Sequence, residues 1–502
     1  MTDDLAVDVA VQRHSRPWLV FATTSIGVLA VFISMSGLTV ALPTLTRELS
    51  ATPAQSTWIV LGYMVVTTAL ILVFGRLADI VGRRPLYLGG LAVFAVASAA
   101  CVFAPSAEWL IVARILQGVG AGAVVTNNTA LLTDVFPTHL LGRALGWNAT
   151  VAALGQVVGP LIGGAATALL GWHGLFLVVT PLAVIATVTS VLVIPRSPRV
   201  RRRREHFDVV GALLSTTLLT GIVLALTPGL SGPAWMPFVY GTGSMVLAVV
   251  MVAWFVRRSE PLIDLTLFRD RRVGIIMVAA LLTAVTTYAV PLIISLFEQA
   301  AEGTSPFVAG ILVMPVALGT VLAASVAGSV VNRYSPRTLM AIGLVLITMG
   351  LGGMTLLLTP DSTPRWASAL CLALIGMGIG LFMTPSTSAL MLTVDPQRRG
   401  IANGLRSMLQ NVGNLLGTAL ILSIATIGLG ASAREATYAG ATDSLGAADI
   451  GVLIGNLRWG GLVLTVVAAI GVLVCLMFPR TPVTVTPVDL DDDDPISVKE
   501  PV

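Results

Sequence analysis

The sequence predicts an all-α integral membrane protein, and three observations predict it. Of 502 residues, 56% are hydrophobic and 11% charged, with a mean hydropathy of +0.92, outside the range of water-soluble domains. The apolar residues gather into runs long enough to cross a bilayer, which takes about 20 residues of helix. The basic residues are shared very unevenly between the links that join those runs.

Fourteen spans are read along the chain, at 17–42, 57–77, 86–104, 107–132, 144–170, 174–194, 209–226, 236–254, 273–297, 308–331, 339–358, 368–392, 401–427 and 452–477. The first run is read as a span rather than a cleavable leader, because it is long and many more follow. Tracing the alternation puts 24 of the 29 basic residues in links on one face, counting Arg406 and both termini. Arg47, Arg365 and Arg434 fall on the other face, while Arg114 and Arg458 fall within spans. The arginine-rich face is therefore expected to be cytoplasmic, with both termini inside. Trp18, Trp58, Trp109, Trp172, Trp235, Trp254, Trp366 and Trp459 lie at or near span ends, as interfacial aromatics do.

The expected plan is an N-terminal tail (1–16), a six-helix bundle (17–194), a basic link (195–208), two inserted spans (209–256), a second link (257–272), a second six-helix bundle (273–479) and an acidic, disordered tail (480–502). Arg201, Arg202, Arg203 and Arg204 in the first link either fix topology or touch anionic membrane lipid. A repeat supports the two-bundle plan. Gly328, Asn332 and Arg337 reproduce the offsets of Gly75, Asp79 and Arg84, with an amide replacing the acid.

Several chemistries are excluded. Cys101, Cys371 and Cys475 all lie inside apolar runs, and His14, His139, His173 and His206 stand far apart in links, so neither disulfides nor a metal centre is expected. No nucleophile elbow or phosphate-binding glycine loop is present, so enzyme chemistry and cofactors are not expected. The basic residues flank spans, which points to topology rather than nucleic acid.

The densest signal is the link Gly75-Arg76-Leu77-Ala78-Asp79-Ile80-Val81-Gly82-Arg83-Arg84-Pro85. Asp79 ends a helix against that helix's own negative dipole end, so it needs an arginine or another helix N-terminus as partner. Gly75 admits a close neighbour and Gly82 a tight return into the membrane. This stretch resembles the loop between the second and third spans of the major facilitator superfamily. The resemblance implies two bundles about a central cavity, and a latch formed by Gly75, Asp79, Gly82, Arg83 and Arg84 that steadies the outward-facing state. The fourteen-span layout is similar to the family's drug:proton antiporter branch.

Further motifs extend the likeness. Arg114-Ile115-Leu116-Gln117-Gly118-Val119-Gly120 is similar to the family's fourth-span motif, whose arginine is implicated in proton coupling; alternatively, Arg114 snorkels to the headgroups. Gly155, Gly159, Pro160, Gly163 and Gly164 resemble the fifth-span motif that marks exporters, and a plain packing seam accounts for the glycines but not for the proline. Pro261 to Leu265, Gln299, Ser305-Pro306 and Ala402-Asn403-Gly404 carry the resemblance through the second half.

One position departs from the family pattern. Ser34 stands where the family's first span commonly carries an aspartate, and no Asp or Glu falls in the middle of any span. A pocket without a central carboxylate is expected to prefer neutral, anionic or lipophilic cargo. Proton coupling would then fall to Glu298, Arg114 or Asp79, although Glu298 also reads as a solvated loop acid. Expected pocket residues are Ser34, Ser36, Asn127, Asn128, Asn148, Thr287, Tyr288, Phe382 and Met383, from spans one, four, five, nine and twelve; helix–helix packing explains each equally well.

The resemblance implies a plasma-membrane exporter of small amphipathic compounds, working as a monomer by alternating access against a proton flux. A mover of lipid-like cargo with different coupling is the alternative, and a transporter-like sensor or scaffold is a third reading. Asp79→Asn is expected to impair transport while leaving membrane insertion intact. Normal transport by the variant, measured in cells with its level matched to wild type, would remove the latch.

Overall fold

The structure, a computed structural model, describes residues 17–195, 208–226, 235–257, 265–331, 333–358, 365–394, 399–441 and 444–479. The first half contains α1 (Pro17–Glu48), α2 (Pro53–Val81), α3 (Arg83–Val102), α4 (Ala107–Val135), α5 (Thr138–Leu170) and α6 (His173–Val193). Two helices follow, α7 (Val209–Leu226) and α8 (Met236–Arg257). The second half contains α9 (Arg271–Tyr288), α10 (Val290–Leu296), α11 (Pro306–Val330), α12 (Pro336–Leu357), α13 (Arg365–Thr393), α14 (Arg399–Ala425), α15 (Ala431–Ala439) and α16 (Ala447–Leu476).

Among the described residues, 13 helical stretches are long and apolar enough to span a bilayer, one fewer than expected. The fourteenth expected span is α7, an apolar helix of 18 residues, Val209–Leu226. The Arg201–Arg204 run, the acidic tail, His14, His206 and Asn332 of the repeat lie outside the described residues.

Short polar links start the helices cleanly. Thr52, Ser305 and Ser335 each precede a proline and accept a hydrogen bond from the backbone amide three residues on. The side-chain oxygen satisfies a donor the helix leaves open, and the proline needs no donor at that position. Gly82 turns α2 into α3 at φ +104°, a conformation that favours glycine.

The halves are built alike. In the first, α5 packs on α1, α4 on both α2 and α3, and α6 on α3 and α1. In the second, α14 packs on α9, α13 on both α11 and α12, and α16 on α12 and α9. The inserted helices α7 and α8 pack on each other, with α7 also against α2 and α14. This is the expected pair of six-helix bundles with two additional helices between them.

Contact without side chains holds the neighbours together. A Cβ on Gly163 would lie 2.4 Å from the Gly37 carbonyl oxygen, and one on Gly37 would lie 2.9 Å from the Gly159 carbonyl oxygen. Lipid tails are as apolar as leucine, so helices associate through packing this close rather than through hydrophobic drive.

Span nine is broken inside the membrane. Pro291 has no amide to bond the Thr287 carbonyl, and the chain steps from α9 to α10 at Ala289. A π-helical turn, Phe297–Ala301, then ends the span. Trp172 stands at the start of α6, at a span end as expected, where it is 1% exposed and stacked on His173.

Gly163→Ala is expected to destabilise the purified protein by about 1–3 kcal/mol, because its methyl group meets rigid backbone. Gly89→Ala, where a Cβ meets nothing within 4 Å, serves as the control and should melt like wild type. Thermal unfolding in detergent compares the two.

Candidate functional site

The halves meet toward the ends remote from the Gly82 turn. The Pro160 carbonyl oxygen lies 2.9 Å from where a Gly310 Cβ would sit, and the Pro306 carbonyl oxygen 2.5 Å from a Gly164 Cβ. Gln299 Nε2 donates to the Val40 carbonyl at 3.0 Å, joining the π-helical turn to α1. Thr57 Oγ1 donates to the Tyr438 hydroxyl at 3.1 Å, and that hydroxyl donates to the Leu422 carbonyl at 3.3 Å. Burial holds the Tyr438 hydroxyl above the usual tyrosine range, so it stays neutral. Pro43 packs against Gly440, which turns the chain at φ +59°.

Between the bundles, on the other side of this closure, lies the central cavity. Its wall draws on spans one, four, five and nine through Ser36, Asn128, Asn148, Thr287 and Tyr288, with Met383 of α13 opposite. These six were expected at the pocket. The Thr287–Pro291 break faces this space, which fits the rule that irregular backbone within a membrane lines a cavity. Asn128 Nδ2 donates to Asn148 Oδ1, tying α4 to α5 at the wall.

Three expected pocket residues are elsewhere. Ser34 is fully buried and accepts a hydrogen bond from Arg114 at 3.0 Å. Asn127 donates to the Ala123 carbonyl of its own helix at 2.8 Å. Phe382 is fully buried against Gly343 on α12. Neighbouring positions on a helix point about 100° apart, so Ser36 and Asn128 reach the cavity while Ser34 and Asn127 turn into the bundle.

The larger gap in the sequence reading is α14. Asn403, Arg406, Ser407, Gln410, Asn411 and Asn414 all line the cavity. Arg406 was counted among the link residues, yet it is 3% exposed within α14. The signal was present in the sequence: these six positions recur at steps of three and four, one polar stripe on an otherwise apolar helix.

Arg114 does not snorkel, being 1% exposed. Its Nε donates to the Ile59 carbonyl at 3.2 Å and its Nη1 to Ser34 and to Gln117. Gln117 donates on to Ser98 at 2.7 Å, and the guanidinium lies 4.1 Å from the centre of the Tyr63 ring. Among the described residues no carboxylate pairs with it. Neutral acceptors and an aromatic face therefore carry this buried charge.

At the turn near the basic face, Arg83 pairs with Asp134 and donates to the Ala130 carbonyl at 3.0 Å. Arg84 donates to the Ile194 and Val191 carbonyls at 2.9 and 3.2 Å. Each arginine thus caps the negative end of a helix within its own bundle. The Asp79 side chain lies outside the described residues, and Gly75 makes an ordinary 3.4 Å approach to Thr126.

Glu298 lies in the π-helical turn, 8% exposed, and accepts from Thr304 Oγ1 at 3.2 Å. It shares a pocket with Glu302, Arg365 and Ser368. Of the three coupling candidates, Arg114 and Glu298 therefore sit in separate places, neither on the central cavity wall.

Ser34→Asp would set a carboxylate beside the Arg114 cation. It is expected to stabilise the purified protein at neutral pH by about 1–3 kcal/mol, since the cation is already desolvated. A melting temperature equal to or below wild type would show that this pairing does not form.

Comparison with known proteins agrees with this geometry. Residues 24–418 match the family described as the Major Facilitator Superfamily. The riboflavin transporter RibZ of Clostridioides difficile (strain 630) is 28% identical over 81% of this chain and 88% of its own length. The multidrug resistance protein Stp of Mycobacterium tuberculosis (strain CDC 1551 / Oshkosh) is 29% identical over 82% of this chain and 77% of its own. The tetracenomycin C resistance and export protein of Streptomyces glaucescens is 30% identical over 81% and 76%. A crystal structure of a bacterial homolog of the human lysosomal transporter Spinster, inward-facing and unoccupied, superposes with a TM-score of 0.63 at 16% identity, covering 92% of this chain and 97% of that one. This chain belongs to the Major Facilitator Superfamily, and it is a multi-pass membrane transporter rather than an enzyme.

Proposed function

We propose that this protein exports small amphipathic compounds across the plasma membrane by alternating access, as a monomer with both termini in the cytoplasm. The observation that carries this reading is the placement of the exporter-like motif. Pro160 and Gly164 meet Gly310 at the closure between the bundles, and the cavity behind that closure reaches toward the arginine-rich face. With that face cytoplasmic, the cavity takes cargo from the inside and the Pro160–Gly310 seam must part to release it outward. The names of the Stp and tetracenomycin relatives support an export direction and a drug-like cargo.

The wall suits amphipathic cargo. Val28, Phe32, Ile379 and Met383 offer apolar surface, and the amides of α4, α5 and α14 offer hydrogen bonds in both senses. Among the described residues no Asp or Glu lines it, which disfavours permanently cationic cargo.

Proton antiport is the proposed drive, and Glu298 is the proposed carrier. It stands one residue before Gln299, whose bond to Val40 belongs to the closure, so a change of charge there acts on the seam. Arg114, held by neutral partners, serves as a fixed cation within the first bundle. The Gly75–Arg84 hairpin retains its proposed role as the latch of the outward-facing state.

The test uses purified protein in sealed liposomes that hold a pH-sensitive dye, under an imposed proton gradient. Cationic, neutral and anionic amphiphiles are offered in turn. Proton flux that depends on cargo and is lost in Glu298→Gln is the expected result. Cargo movement without proton flux would overturn the antiport reading and favour an uncoupled or lipid-type mover.

A further inference from the structure

The cavity wall carries one charged side chain among its described residues, and that charge is unpaired. Arg406 Nη2 donates to Asn403 Oδ1 at a long 3.4 Å, while Nε and Nη1 have no hydrogen-bond partner. Nε and Nη1 belong to different edges of the planar group, so each edge keeps an open donor. The residue is 3% exposed, and among the described residues no Asp or Glu stands beside it in the wall. Arg114 is buried to the same degree, but carbonyl, hydroxyl and amide acceptors and an aromatic ring surround it. The contrast makes Arg406 the odd member. A desolvated cation without acceptors is unfavourable, and a transporter that keeps one in its cavity wall has a use for its open donors.

Two further groups on the wall are also unsatisfied. The Tyr288 hydroxyl of α9 and Asn128 Oδ1 of α4 have no partner. Arg406 and Tyr288 belong to one bundle and Asn128 to the other, and the same wall carries the apolar Phe32 and Met383. Arg406 lies about two turns into α14 from the basic face, so cargo arriving from that side reaches it early.

We infer that this site recognises an oxygen anion on its cargo, a carboxylate or a comparably acidic enol or phenol, bound by Arg406. The remainder of the cargo is apolar or aromatic, with a hydrogen-bond donor directed to Asn128. A planar guanidinium favours a planar oxyanion over a compact or neutral group. The inference rests on the reading of this cavity as the cargo site and narrows its occupant from amphiphiles at large to amphiphilic acids.

The experiment uses three probes with one ring system: 1-pyrenebutanoate, 1-pyrenebutanol and 1-pyrenebutylammonium. Binding to the purified full chain in detergent is read by equilibrium dialysis at pH 7.5. Wild type is expected to hold the acid roughly tenfold more tightly than the alcohol, and the amine more weakly than either. Arg406→Gln is expected to bring the acid-to-alcohol ratio to about one, and Arg406→Lys to restore part of it. Equal binding of acid and alcohol by wild type, no binding of the acid, or an unchanged ratio in a monodisperse Arg406→Gln protein would each overturn the inference. Failure of the export reading looks different. There the acid keeps its preference in binding, yet none of the probes crosses liposomes that contain the protein.

Discussion

The structure depends on helices that approach until backbone touches backbone. Inside a bilayer, burying apolar surface against another helix gains little over burying it against lipid, so the stabilising contact must come from fit. Gly37, Gly159 and Gly163 supply it between α1 and α5, and Gly413 and Gly417 do so between α9 and α14, in the same pairing. These two pairs form much of the cavity wall. The close seams within each bundle make it a firm body, which leaves the junction between the bundles as the place where motion is least costly. That junction is mostly small residues and single hydrogen bonds, at Gly164–Gly310, Gln299–Val40 and Thr57–Tyr438.

Much of this was legible in the sequence. Span positions follow from apolar run length, which the bilayer sets directly. The Gly82 turn and the serine–proline and threonine–proline helix starts are local features, decided by residues a few positions apart. The cavity wall was legible in part because facing is a matter of angle. Ser36 and Ser34 are two positions apart, and an uncertainty of a few residues in span ends does not settle which of them turns inward. Arg406 was missed for a different reason: an arginine near a span end is usually a topology signal, and its depth depends on where α14 begins. The polar stripe from Asn403 to Asn414 was the better guide, since it follows a helical period that no link requires.

The two buried arginines show how one residue type serves two ends. Arg114 is enclosed by acceptors from α1, α2 and its own helix, so it ties three helices together without a counter-ion. Ser34 is central to that arrangement, because its hydroxyl gives the guanidinium an acceptor without adding charge. Arg406 has no such enclosure. An arginine held by acceptors from three helices serves architecture, and one with open donors beside a cavity is suited to recognition.

The break at Ala289 divides span nine into two rods that share a joint. The longer rod, α9, is held along its length by α14, whereas α10 and the π-helical turn beyond it carry Gln299 to the closure. The joint faces the cavity through Thr287, Tyr288 and Pro291. Span nine is therefore shaped as a long and a short arm with their joint beside the cavity. The short arm carries the Gln299–Val40 tie of the closure, and the long arm is seated against α14 in its bundle.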